Sequence, residues 1–160
     1  MTSSVLVAGI GNIFLGDDGF GPEVMSRLPP NLAGPDVRLC DYGIRGVHLA
    51  YDLLDGWDSL VLVDALPCRD RPGALHVFEA DQESLSSTSG LDAHAMDPAA
   101  VFASVRALGG SPPYTVVVGC EVATVTDGIG LSEPVAAAVP GAVAAVEAAV
   151  ARLSAPVREG

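Results

Sequence analysis

Short apolar runs punctuated by glycine and proline recur along the chain, and their lengths predict strands alternating with helices. Val5 to Ile10 is continuously apolar and ends in Gly11-Asn12, the pattern of a strand buried on both faces. After a loop to Gly21, Pro22 to Leu28 suits a helix, with Pro22 tolerated in its first turn and Pro29-Pro30 stopping it. Val37 to Tyr42 reads as a second strand. A Gly43 to Gly46 turn then leads into Val47, Ala50, Tyr51 and Leu54 at helical spacing. Leu60 to Val63, the most hydrophobic run, predicts a third strand ending at Asp64.

The link through Arg69-Asp70-Arg71-Pro72-Gly73 has the composition of a turn, and Ala74 to Phe78 predicts a fourth strand. A parallel crossover needs a dozen or more residues, so this strand is expected at an edge, antiparallel to its neighbour. Ser86 to Gly90 is polar and reads as a loop. Pro98 to Leu108 suits a helix stopped by Gly109-Gly110, Tyr114 to Val118 a fifth strand, and the Ala-rich C-terminal segment a last helix that Pro140 should kink or split. No repeat or linker appears, so residues 1–154 are expected to form one domain, with 155–160 a frayed tail. Strands alternating with helices predict an α/β protein, a three-layer α/β/α sandwich around a mostly parallel sheet.

Composition narrows the chemistry. The 160 residues suffice for one compact core. A net charge of −12 leaves no basic stripe to neutralise phosphates, so no nucleic-acid partner is expected. Lysine is absent, which removes the phosphate-loop lysine, the Schiff-base lysine and the Ser-Lys dyad together. Cys40, Cys68 and Cys120 are odd in number and widely spaced, which fits a reducing, cytoplasmic setting. The N-terminus carries no basic side chain before its short apolar run and reads as a strand rather than a signal. Pro134 to Leu153 has nearly the length of a membrane span, but Glu147, Pro140 and the predominance of Ala over Leu weigh against insertion, and no membrane partner is expected.

In open parallel sheets the functional crevice lies beyond the carboxyl ends of the strands. Asp18 follows the first strand, Asp64 closes the third, and His94 sits in the loop before the Pro98 helix. Two carboxylates and an imidazole suit a divalent ion such as nickel, zinc or manganese, and three protein ligands would leave a coordination position open, as catalytic sites do. Each residue also has an ordinary reading: Asp18 as a helix cap, Asp64 as a turn residue, His94 as a solvated loop histidine. His76, in the edge strand, and His48, at a helix start, read as structural, with His48 a reserve ligand. Gly9-Ile10-Gly11 starts a dinucleotide fingerprint, but Phe14 stands where the third glycine belongs and two acidic residues follow. His-Glu-x-x-His, Gly-x-Ser-x-Gly, Asp-Thr-Gly and Asp-Ser-Gly are all missing. Cys120 beside Glu121 is a candidate nucleophile, weighed against the usual fate of a free cysteine as a small buried hydrophobe.

These marks together resemble the hydrogenase maturation endopeptidases. They are the run GIGNIFLGDDGFG from Gly9 to Gly21, Val63-Asp64-Ala65, His94 before its helix, and Gly128-Ile129-Gly130-Leu131-Ser132 before the last helix. The resemblance implies a twisted five-stranded sheet in an α/β/α fold. It also implies an aspartyl-type endopeptidase that removes the C-terminal extension of a nickel-iron hydrogenase large-subunit precursor after nickel insertion. By the same resemblance Asp18, Asp64 and His94 are the metal ligands, and Asp18 and Asp64 are also the catalytic carboxylates. The metal is then nickel carried by the substrate, with zinc or another divalent ion substituting in vitro. Asp17 would shape the loop, and Gly43, Arg45 and Gly46 would recognise the substrate. Two departures stand out: some relatives have Glu at the position of Asp18, and the family's turn after the second strand often contains a threonine, where this chain has Gly43-Ile44-Arg45-Gly46. The alternative function is a non-catalytic nickel- or nucleotide-binding accessory module, or a docking adaptor, for hydrogenase assembly.

Overall fold

A computed structural model describes residues 3–80 and 98–155. The apolar runs form five strands: β1 (Val5–Ile10), β2 (Val37–Gly43), β3 (Ser59–Leu66), β4 (Leu75–Ala80) and β5 (Tyr114–Glu121). They lie in the order β2-β1-β3-β5-β4. The first four in that order are parallel, and β4 pairs antiparallel with β5 at the edge, as the short link before it requires. Four helices flank the sheet: α1 (Phe20–Arg27), α2 (Gly46–Leu53), α3 (Pro98–Ala107) and α4 (Glu133–Leu153).

Strand alternation divides the core in two. Val5 and Val7, Val61 and Val63, and Val116, Val118 and Cys120 face α1 and α4. Leu6, Ala8 and Ile10, Leu60 and Leu62, and Val117 face α2 and α3. All but a few of these side chains are wholly removed from solvent, so three layers are built from one set of strands. The predicted α/β/α sandwich with a mostly parallel five-stranded sheet is the observed fold.

Three local expectations need correction. Strand β3 does not end at Asp64, nor β5 at Val118, because the ladder continues through Asp64↔Gly119, Ala65↔Cys120 and Leu66↔Glu121. A polar residue and a glycine interrupt the apolar run without interrupting the backbone pairing. Helix α2 buries Gly46, Leu49, Ala50 and Leu53, while Val47 and Tyr51 of the expected face are 62% and 56% exposed. That helix is apolar on most of its circumference, so periodicity alone does not choose the inner face. Pro140 does not split α4, which runs unbroken from Glu133 to Leu153. The N–H it lacks would have served the carbonyl of Ala136, and both residues are exposed, so water can solvate that carbonyl. By length and composition α4 is the one helix among the described residues able to cross a membrane. Its valine stripe, Val135, Val139, Val146 and Val150, is instead packed in the core. The expected Ser86–Gly90 loop lies outside the described residues, as does all of the predicted tail except Ala155.

Candidate active site

The crevice begins where β1 stops. Past Ile10, Gly11 takes a φ of 144°, and a Cβ there would lie 2.0 Å from the carbonyl oxygen of Asp18. Only glycine allows the chain to fold back so closely. The returning segment is a single 3-10 turn, Gly16–Gly19, leading directly into α1. The Asp18 carboxylate accepts the N–H of Asn12 at 2.8 Å, which ties the acidic turn to the end of β1. Gly21 closes the joint: a Cβ there would lie 2.3 Å from the carbonyl oxygen of Ile10 and 2.6 Å from that of Val63. The Asp18 turn is thereby pressed against the ends of β1 and β3, and Asp64 is the residue after Val63.

Asp64 is 2% exposed and belongs, by alternation with Leu60 and Leu62, to the face covered by α2 and α3. Helix α3 ends near Gly110, where a Cβ would meet Leu54 at the end of α2, on the amino side of the strands. Pro98, the opposite end of α3, therefore opens at the carboxyl edge. His94, four positions ahead of Pro98 in the sequence, lies outside the described residues. Among the described residues no cluster of three His, Cys, Asp or Glu side chains is assembled; of the three expected ligands, Asp18 and Asp64 lie within the described residues and His94 does not.

Asp17 has a different task from its neighbour. It is wholly buried. Its carboxylate accepts the N–H groups of Ala123 (2.8 Å) and Thr124 (3.0 Å), the N–H of Ser132 (2.6 Å) and the Ser132 hydroxyl (2.8 Å). Burial pushes its pKa up, but the donors on Ser132, Thr124 and Ala123 outweigh that and hold the carboxyl below its ordinary 3.8. Backbone bonds from Gly16 to Gly128, from Asp17 to Thr124 and from Gly128 to Phe14 complete the lacing. The Gly128–Ser132 run noted in the sequence is thus the partner of the acidic turn.

The glycine turn after β2 forms the opposite wall. Gly43 has a φ of 56° and its carbonyl accepts the N–H of Gly11 at 2.9 Å. The exposed Arg45 does not pair with a carboxylate among the described residues; its guanidinium donates to the carbonyls of Tyr42 (3.2 Å) and Asp41 (3.1 Å). Gly46 is buried as the first residue of α2. Between this turn and the end of β1 runs a groove of about 450 Å³ lined by Asn12, Ile13, Phe14, Gly43, Ile44 and Arg45, among others.

At the end of β5, Glu121 is 4% exposed. One of its oxygens accepts the N–H groups of Arg69, Asp70 and Arg71 at 2.8, 3.2 and 3.2 Å, and the other is 2.7 Å from His76 Nε2. The His76 hydrogen bond, followed by the backbone donors, brings its pKa down to about 2. Sequence reasoning missed this pair, because Glu121 stood beyond the expected end of β5. The available signal was alternation, which puts Glu121 on the same face as Asp64. Burial, and then the charges of Asp17 and Glu121, push the thiol of Cys120 up to about 11, and the side chain is fully buried. It is a core residue, not a nucleophile. His48 packs on the ring of Tyr42 and lies 3.7 Å from Asp52.

The fold and site define an α/β/α domain with an acidic crevice at the carboxyl edge of its sheet and no nucleotide fingerprint. The hydrogenase maturation protease family model matches residues 22–149, and the chain belongs to that family; it is a peptide-bond hydrolase. The match starts just after the acidic turn. A Methanocaldococcus jannaschii protein bearing the family's name is 33% identical over 143 residues, covering 87% of this chain and 91% of that protein. The hydrogenase 2 maturation protease of Escherichia coli is 28% identical, covering 91% and 90%. The solved structure of the E. coli hydrogenase maturating endopeptidase HybD superimposes with a TM-score of 0.78 at 26% identity, over 93% of each chain.

Proposed function

We propose that this endopeptidase removes the C-terminal extension of a nickel-iron hydrogenase large-subunit precursor, and that it does so after recognising nickel already inserted in that substrate. The observation that carries this reading is the Gly21 joint, which presses the Asp18 turn against the end of β1 and the residue before Asp64. Two acidic side chains, one from the turn after β1 and one from β3, then border one crevice, and oxygen donors of this kind suit a hard or borderline divalent ion. Asp18, Asp64 and His94 grip the nickel, which fixes the scissile peptide in the crevice. Positioning of this kind supplies much of the rate in peptide hydrolysis. The extended segment of precursor runs through the groove beside Gly43, Arg45 and Gly46. Other divalent ions with the same preferred donors, zinc among them, would occupy the site in vitro.

The test is cleavage of the purified precursor, loaded with nickel or free of it, followed as a change in chain length. The loaded precursor is expected to be cut and the free one left intact. Equal cleavage of both would remove nickel from the recognition step, and an uncut loaded precursor would favour a carrier or docking role.

A further inference from the structure

On the peptidase reading just given, water must lose a proton as it attacks the scissile carbonyl, and the family match does not say which residue takes it. We propose that His76 takes that proton and that Glu121 is the positioning residue that holds it ready.

The sheet register places His76 near the nickel-gripping carboxylate. Gly119 on β5 pairs with Asp64 on one side and with His76 on the other. Residues in register across a sheet project from the same face, so Asp64 and His76 share a face two strands apart, about 10 Å at ordinary strand spacing. An extended substrate segment covers that span in about three residues. The floor between them is apolar: a Cβ on Gly119 would lie 2.5 Å from Leu66 Cγ, so the Leu66 side chain lies over the glycine. One end of such a segment can carry the metal while a peptide bond a few residues away reaches the imidazole.

The Glu121 contacts fix the orientation of the imidazole. Three backbone N–H groups occupy one oxygen of its carboxylate. The other oxygen has only acceptor capacity while the group is ionised, so His76 Nε2 must be the donor in the 2.7 Å bond. With Nε2 turned to the carboxylate, Nδ1 is the ring nitrogen left to face a substrate. A carboxylate that fixes the tautomer and ring of a histidine in this way is the orienting device of general-base catalysis. With 47% of its side chain exposed, His76 is accessible to a substrate. A buried carboxylate held by three backbone N–H groups and an imidazole is also more than an edge strand needs to pair with β5.

In the step itself, the water O–H bond breaks, its proton passes to Nδ1, and the oxygen bonds to the carbonyl carbon. The C–N bond then breaks, and the same proton passes to the departing nitrogen, leaving a carboxylic acid and a free amine. No oxidant or further reactant is needed.

The test uses the full chain and nickel-loaded precursor, with His76→Gln, His76→Ala and Glu121→Gln. Glutamine can still donate to Glu121, so a structural role would be rescued by it, whereas proton transfer would not. The expected result is a fall in kcat of about 100-fold or more in both His76 variants, in line with the usual contribution of a general base. KM should change by less than about threefold, and added imidazole should restore part of the His76→Ala activity. Glu121→Gln should lower kcat by a smaller factor. His76→Gln cutting at the parent rate would overturn the proposal and leave the peptidase reading intact. A parent protein that leaves the loaded precursor uncut would overturn both.

Discussion

Replacing Asp17 by asparagine should be at least as damaging as replacing it by alanine, although asparagine has the same shape. Every group facing the carboxylate is a donor: three backbone N–H groups and the Ser132 hydroxyl. Whichever way an asparagine amide is turned, its NH2 meets either the N–H of Ser132 or those of Ala123 and Thr124. A buried donor left without an acceptor costs about 1–3 kcal/mol. Ala123 and Thr124 lie in an exposed stretch where water can replace the carboxylate, so the net loss is smaller than four full penalties, about 2–4 kcal/mol. For a domain of this size that is a drop in Tm of about 5–12 °C. The folded pKa of Asp17 lies below its ordinary 3.8, so its contribution is present above that value and is lost as pH falls through the lower folded value. The gap between parent and Asp17→Asn should therefore be widest near neutral pH and close progressively below pH ~4. Urea unfolding followed by circular dichroism at several pH values measures both. An asparagine variant within about 0.5 kcal/mol of the parent at pH 7 would refute the account.

Two other substitutions bear on the site. Gly21→Ala should cost about 3 kcal/mol or more, because its Cβ would press on two backbone carbonyls rather than on movable side chains; the urea midpoint measures it, and a shift under about 1 kcal/mol would show that the joint is loose. Cys120→Ala should keep cleavage of the loaded precursor within about twofold of the parent, since a buried thiol with a pKa raised to about 11 is no nucleophile at neutral pH; loss of activity in a folded variant would reinstate it.

What the sequence made legible was local. Continuous valine and leucine runs belong to strands covered on both faces, and β1, β3 and β5 are such strands. The short link before β4 dictated its antiparallel edge position through chain length alone. Asp18 and Asp64 stood out because each interrupts an otherwise regular βα pattern. What stayed hidden depends on groups distant in sequence. The donors to Asp17 come from 106 to 115 positions away, so its role as an anchor could be guessed while its partners could not. The extension of β3 and β5 past Asp64 and Gly119 is a property of the ladder between them, which neither segment carries alone. For α2, large side chains with apolar bodies stand on both sides, Val47 and Tyr51 on one and Leu49 and Leu53 on the other, and the surface of the sheet makes the choice.

Two adjacent aspartates would ordinarily repel each other, and a buried carboxylate is costly unless its oxygens are satisfied. In the Gly16–Gly19 turn the 3-10 geometry rotates successive residues by about 120°, so neighbouring side chains leave the backbone in different directions. Asp17 is buried against the β5–α4 loop and holds it by four hydrogen bonds. Asp18, half-buried, receives the N–H of Asn12 at the end of β1. The charge of the first keeps in place the turn that presents the second. Protonating or neutralising Asp17 would thus act on the crevice through the position of Asp18, and a weakened fold and a misplaced candidate ligand are consequences of the same event.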